Sequence, residues 1–157
     1  MHPNAERIQA ALAETGAHGR VVEFDSSTKT SVDAARAIGT TVAQIAKSLV
    51  FLAGERPVLV IASGVNRVDV DKLSSLLGAV IRRADASAVR DATGFPIGGV
   101  PPFGHTQELE VLVDEELLVH SEIWAAAGTP NAVFPTSPDE LLRITGGRVA
   151  DVKEEDR

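Results

Sequence analysis

Two places in the chain carry groups able to act on an acyl or phosphoryl substrate. The first is Lys47, in Ile45-Ala46-Lys47-Ser48-Leu49-Val50-Phe51, with apolar neighbours on both sides, where a short helix is expected to run into a core strand. Two readings of it are open. The stem can lie along the core with its charge in water, or the ammonium can stand at a pocket mouth, a point charge for a phosphate or a polarised carbonyl. The second place is Gly98-Gly99-Val100-Pro101-Pro102. Two glycines remove side chains, so the N–H groups of Gly98, Gly99 and Val100 can converge on one oxygen. The two prolines stiffen the end of the loop and donate no N–H. An ordinary irregular connection between strands is the alternative. Lysine and loop together describe an oxyanion hole beside a cation, with no side-chain nucleophile.

Other chemistries find little support. There is no G-x-x-x-x-G-K-[ST], no G-x-G-x-x-G after a strand and no G-x-S-x-G elbow. The histidines at 2, 18, 105 and 120 lack metal-ligand spacing. Asp114, Glu115 and Glu116 are adjacent carboxylates at a strand end, better explained as a solvated turn than as an acid/base pair. Cysteine is absent, which removes thiolate chemistry and disulfides. The expected site therefore uses no metal and no cofactor.

The elements that must position these groups alternate without linker or repeat. Pro3 opens a helix with Ile8 and Leu12 on one face, stopped at Gly16, and residues 20–25 read as a strand. Thr30 with Asp33 caps a helix that ends at Gly39, and Thr41 with Gln44 starts a short helix over 41–47. Residues 47–53 and 57–63 form a hairpin across Gly54-Glu55-Arg56. A helix from Asp69 to Gly78, a strand over 79–84 and a helix capped by Asp85 lead to the irregular stretch 94–104. Strands over 108–114, 122–127 and 131–136 come next, then a helix opened by Ser137, Pro138 and Glu140, and a strand over 148–152. Residues 153–157 read as a mobile tail. About seven strands and five or six short helices, not strictly alternating, predict an α+β fold with a mixed sheet.

Length and charge bound the rest. The 157 residues fit a single domain, 1–157, and 44% hydrophobic with 24% charged residues is the composition of a soluble chain. No apolar run approaches the ~20 residues of a membrane span, and the polar N-terminus is unlike a signal peptide. Both favour a cytoplasmic location and no membrane partner. The net charge of −7 argues against general nucleic-acid binding. Yet residues 20–90 carry ten Lys/Arg against seven Asp/Glu, and residues 91–157 carry four against thirteen. Solvated surfaces explain this split, as does an anionic ligand approaching elements of the first ninety residues.

At these same residues the sequence resembles the YbaK/EbsC type of free-standing aminoacyl-tRNA deacylase, related to the editing domain inserted in bacterial prolyl-tRNA synthetases. The carriers are A-A-x-A-I-G at 34–39, A-K-S-L-V at 46–50, G-F-P-I-G-G-V-P-P-F-G at 94–104, L-V-D at 112–114 and A-A-A-G at 125–128. The resemblance implies an α+β fold with a mixed, partly barrel-like sheet flanked by short helices. It implies hydrolysis of the ester of a mischarged tRNA, typically tRNA(Pro), at the 3′ acceptor end, with prolyl-tRNA synthetase as a possible associate. The family's essential lysine falls on Lys47 and its G-x-x-x-P loop on Gly98 to Pro102. Phe24, Thr30, Ile97 and Pro102 are then expected around the substrate, and Phe24, Thr30, Ile97 and Val100 form a mostly apolar, medium-sized wall that suits a small acyl group. Two departures stand out: Ala125 and Ala126 replace a serine common in relatives, and His105 replaces glutamine. A non-catalytic module that binds the aminoacyl end or attaches to a synthetase is the alternative reading.

Overall fold

The computed structural model describes residues 1–155. The chain runs α1 (Pro3–Glu14), β1 (Val22–Glu23), α2 (Ser31–Ile38), β2 (Ile45–Ala53), β3 (Arg56–Ser63), α3 (Val70–Leu77) and β4 (Ile81–Arg83). It continues through α4 (Ala86–Thr93), β5 (Glu110–Asp114), β6 (Ile123–Ala126), β7 (Ala132–Thr136), α5 (Pro138–Thr145) and β8 (Arg148–Ala150). Single 3-10 turns at Val42–Gln44 and Glu115–Val119 precede β2 and follow β5. The helices start where side chains can accept from the free N–H groups of a first turn. Thr30 accepts from Asp33, Asp69 from Asp71 and Lys72, Asp85 from Ala88, and Ser137 from Glu140.

The strands form one eight-stranded mixed sheet in the order β1-β7-β6-β2-β3-β5-β8, with β4 added to β2. The fold is α+β, as expected. Its sheet is not closed: β1 and β8 end the path, and among the described residues no pairing joins them. The β2–β3 hairpin is antiparallel over residues 46–53, while β3–β5, β5–β8 and β2–β6 are parallel. Residues 58–63 of β3 are all buried because both sheet faces are covered. Leu59 and Ile61 join Ile8, Leu12, Val89 and Leu141 in one core, and Val60 joins Phe51, Leu73 and Leu112 in another.

The second edge of β2 decides where the site forms. It pairs with β6 only at Ile45 and Ala46, and with β4 only at Phe51, Leu52 and Ala53. Between these two partners no strand among the described residues pairs with 47–50 on that edge, where the Ala84 N–H still reaches the Val50 carbonyl at 3.2 Å, and the sheet splits. Three expectations change. The helix over 41–47 is a single 3-10 turn, and Lys47 lies inside β2, because pairing with β3 overrides local helix propensity. The strand over 20–25 shrinks to Val22–Glu23, all that pairs with β7. Residues 153–155 are tethered: Lys153 bridges Val68, the Glu154 N–H donates to Arg67, and Glu155 meets Lys72. Residues 156 and 157 of the expected tail lie outside the described residues.

Candidate active site

A cavity of about 490 Å³ fills the split in the sheet. Its floor is residues 47–50 of β2, and its walls come from the start of α2, the end of β4, β6 and the loop after α4. Gly64 closes one corner, where a Cβ would collide with the Val42 carbonyl oxygen and stand 2.8 Å from the Ser31 Cβ. Among the described residues three cations line the cavity, Lys29, Lys47 and Arg83, and no carboxylate does. All three come from the basic stretch 20–90, so the charge split along the sequence has a spatial counterpart at this cavity.

Lys47 is half-buried, and its Nζ donates to the Asn66 carbonyl at 2.5 Å. Burial pushes its ammonium below the ordinary lysine range, and the Arg83 guanidinium pushes the same way; Asp114 opposes them, and Arg67 adds a smaller push downward. Arg83 is itself braced, its guanidinium 5.9 Å from the Phe51 ring centroid. Ser48 also lines the cavity, and its buried Oγ has no hydrogen-bond partner among the described residues.

The glycine loop reaches the cavity through Ile97, Gly98 and Val100. Gly98 has φ +86°, in the left-handed region, where the Gly99 N–H turns back to donate to the Pro96 carbonyl at 3.0 Å. The Gly99 N–H is therefore taken out of the expected set of three. The Gly99 N–H closes a turn, while those of Gly98 and Val100 meet no acceptor among the described residues. Gly99 has another use, since a Cβ there would stand 2.8–3.0 Å from the backbone of Thr129.

Of the residues expected at the site, Lys47, Thr30, Ile97, Gly98 and Val100 border one cavity. Phe24 does not: its backbone is pinned to Asn131, its N–H donating to that carbonyl and its own carbonyl accepting from Nδ2, both at 2.9 Å. Pro102 is buried behind the loop, beside a separate cleft shared with Phe103 and His105. His105 lines that second cleft and not the cavity, with Nε2 2.7 Å from the Pro101 carbonyl, and its burial pushes the imidazole below the ordinary histidine range. Ala125 and Ala126 do line the cavity, leaving that wall without a hydroxyl.

Sequence reasoning missed Lys29, Ser48, Arg83 and Trp124, all cavity-lining. Only the charge split pointed to the two cations. The carboxylate run was misread more seriously. Glu115 is exposed, but Asp114 is fully buried and accepts from the Ser63 and Glu116 N–H groups and from Asn66 Nδ2.

The chain is similar to known proteins. Residues 25–144, which contain Lys47, the glycine loop and Asp114, match the model of the aminoacyl-tRNA editing domain. A crystal structure of a candidate trans-editing enzyme for prolyl-tRNA synthetase superposes with a TM-score of 0.94 at 48% identity, covering 99% of each chain. YwhH, an uncharacterised protein of Bacillus subtilis (strain 168), is 34% identical over 130 residues, 82% of this chain and 83% of its own. The proline–tRNA ligase of Ligilactobacillus salivarius (strain UCC118) is 34% identical over 87 residues, which span 55% of this chain but 15% of the ligase. With the family model covering most of the described chain and a whole-length structural match beside it, the chain belongs to the aminoacyl-tRNA editing domain family.

Proposed function

We propose that the protein is an aminoacyl-tRNA deacylase. It hydrolyses the ester between a small, wrong amino acid and the terminal adenosine of a tRNA, tRNA(Pro) foremost, acting in trans beside prolyl-tRNA synthetase in the cytoplasm. The observation that carries this reading is the cavity itself: among the described residues, it is lined by three cations, by Gly98 and Val100 with N–H groups that meet no acceptor, and by no carboxylate. Its volume of about 490 Å³ lies in the range of small-ligand sites. The curated proline–tRNA ligase relatives and the trans-editing structural neighbour support the choice of tRNA.

The chemistry follows from charge. Attack of water on the ester carbonyl, its proton relayed through the vicinal ribose hydroxyl to the departing ribose oxygen, puts negative charge on the carbonyl oxygen until the acyl C–O bond breaks and frees the amino acid and the tRNA end. Gly98 and Val100 offer N–H groups to it, each worth about 3–4 kcal/mol when preorganised. Lys47 holds the terminal phosphate or the polarised carbonyl and so fixes the approach. Thr30 and Ile97 border the acyl group, and Ala125 and Ala126 keep that wall apolar. No metal or cofactor enters this scheme.

The test is deacylation of a panel of preformed acyl-tRNA(Pro) species. Alanine or a similarly compact acyl group should be removed fastest, and preferred removal of a charged group would contradict the specificity. Binding of acyl-tRNA without turnover would support the non-catalytic module instead.

A further inference from the structure

We propose that Asp114 is a positioning residue for the site: through the turn over residues 63–66 it fixes the Asn66 carbonyl that anchors the Lys47 ammonium. This rests on the deacylase reading for its consequence but not for its geometry. Asp114 ends β5 with no exposed surface, and a buried carboxylate is stable only where donors meet its lone pairs. Its Oδ2 accepts from the Ser63 N–H at 3.0 Å and from Asn66 Nδ2 at 2.8 Å, which are the two ends of one turn. That turn is closed by the Asn66 N–H on the Ser63 carbonyl at 2.9 Å. The second oxygen, Oδ1, accepts from the Glu116 N–H at 2.9 Å and ties the carboxylate to its own chain.

The consequence lies on the other side of Asn66. Its side chain is held by Asp114 while its carbonyl receives the Lys47 ammonium, so one residue transmits the position of the buried carboxylate to the cation. The turn has two further anchors, in the 3-10 turn before β2 and at the first residue of β2. The Ser63 hydroxyl donates to the Ala43 carbonyl at 2.8 Å, and the Gly64 N–H donates to the Ile45 carbonyl at 2.8 Å. Lysine carries a long, flexible stem, and a fixed acceptor is what gives its charge one location.

Electrostatics adds to geometry. The charged groups acting on Lys47 are Arg83 on β4, Arg67 after β3 and Asp114 at the end of β5, with Lys29 on another wall of the cavity. Asp114 is the one anion among them. It therefore favours the charged form of Lys47 against burial and the two guanidinium groups.

The experiment uses the full chain as wild type, Asp114→Asn and Asn66→Ala, each checked for folding by its amide NMR spectrum. Lys47 is titrated through its ε-position NMR signals, and Ala-tRNA(Pro) deacylation is followed under single-turnover conditions after subtracting spontaneous hydrolysis. Asp114→Asn should move the Lys47 midpoint to lower pH and lower deacylation by roughly 10²-fold, the size of a misplaced catalytic group. Asn66→Ala keeps the buried charge and should lower deacylation by roughly tenfold or more with a smaller change in the midpoint. Should Asp114→Asn fail to fold, Asn66→Ala alone decides, because it removes one donor to the buried carboxylate and leaves the Ser63 and Glu116 N–H groups on it. A folded Asp114→Asn with an unmoved Lys47 midpoint, or either folded variant within twofold of an active wild type, overturns the proposal. A wild type that does not deacylate overturns the functional reading instead, and the Lys47 titration still tests the positioning.

Discussion

Gly99→Ala is the perturbation for which the structure gives the clearest magnitude. A Cβ built there stands 2.8 Å from the carbonyl carbon of Thr129, 2.9 Å from its Cα and 3.0 Å from its nitrogen. Those are backbone atoms, so no side chain can swing aside, and one of the two loops must retreat by about half an ångström or more. Overpacking of this kind costs about 1–3 kcal/mol, which in a chain of this size lowers Tm by roughly 2–12 °C. A retreat of the glycine loop also displaces the adjacent Val100 N–H, and misplacements approaching 1 Å cost up to about 10²-fold in rate. Gly98→Ala behaves differently. Its Cβ meets the Lys29 Cγ at 2.5 Å, a flexible stem that can move, but its φ of +86° costs an L-residue roughly 1–2 kcal/mol. The pair is assayed by thermal unfolding and by single-turnover deacylation of matched variants. A Gly99→Ala protein with wild-type Tm and wild-type rate would refute the reasoning, since the Thr129 contact would then fix nothing.

Neighbouring groups give further expected outcomes. His105 has its imidazole held below the ordinary range by burial, so its neutral form stabilises the fold above the unfolded value of about 6.5. That stability is lost as pH falls through the lower folded value; thermal melts at pH 7.5 and 5.5 should show a drop that His105→Gln reduces, and an equal drop in both would contradict it. Ser48→Ala removes a buried hydroxyl without a partner and should leave Tm unchanged or raise it, by up to about 1 kcal/mol of stability. A loss larger than that would mean the hydroxyl is bonded. Lys29→Ala and Arg83→Ala should each weaken tRNA binding and flatten its salt dependence by about one unit of slope per cation. An unchanged slope in titrations between 50 and 200 mM salt would remove them from the tRNA path.

The sequence disclosed most where a local rule governs. Thr30 with Asp33, Ser137 with Glu140, and the glycines at 39, 78, 94 and 146 mark helix ends, because caps are satisfied within a few residues. The β2–β3 hairpin was equally readable. What stayed hidden depends on distant pairing. The Thr41/Gln44 capping box is present, yet the turn it opens ends after one 3-10 turn because Ile45 and Ala46 pair with β6. Asp114 looked like part of a solvated carboxylate run, since its neighbours Glu115 and Glu116 are partly or fully exposed. Only the docking of β5 between β3 and β8 buries it. Lys47, Gly98 and Val100 could be singled out as a lysine among apolar residues and a glycine pair. That Gly99 spends its N–H on Pro96, and that Phe24 and Pro102 lie away from the cavity, are consequences of turn geometry and packing that residue types do not reveal.

The central claim is that the Lys47 ammonium and the glycine-loop N–H groups together hydrolyse an aminoacyl ester. Its most direct test is single-turnover deacylation of Ala-tRNA(Pro) by wild type beside Lys47→Met, which keeps an apolar stem of similar length and removes the charge. Wild type should clear the ester well above the spontaneous rate, and Lys47→Met should be slower by at least about 10²-fold, the loss expected for one preorganised charged donor. A folded Lys47→Met that deacylates within twofold of wild type would contradict the account.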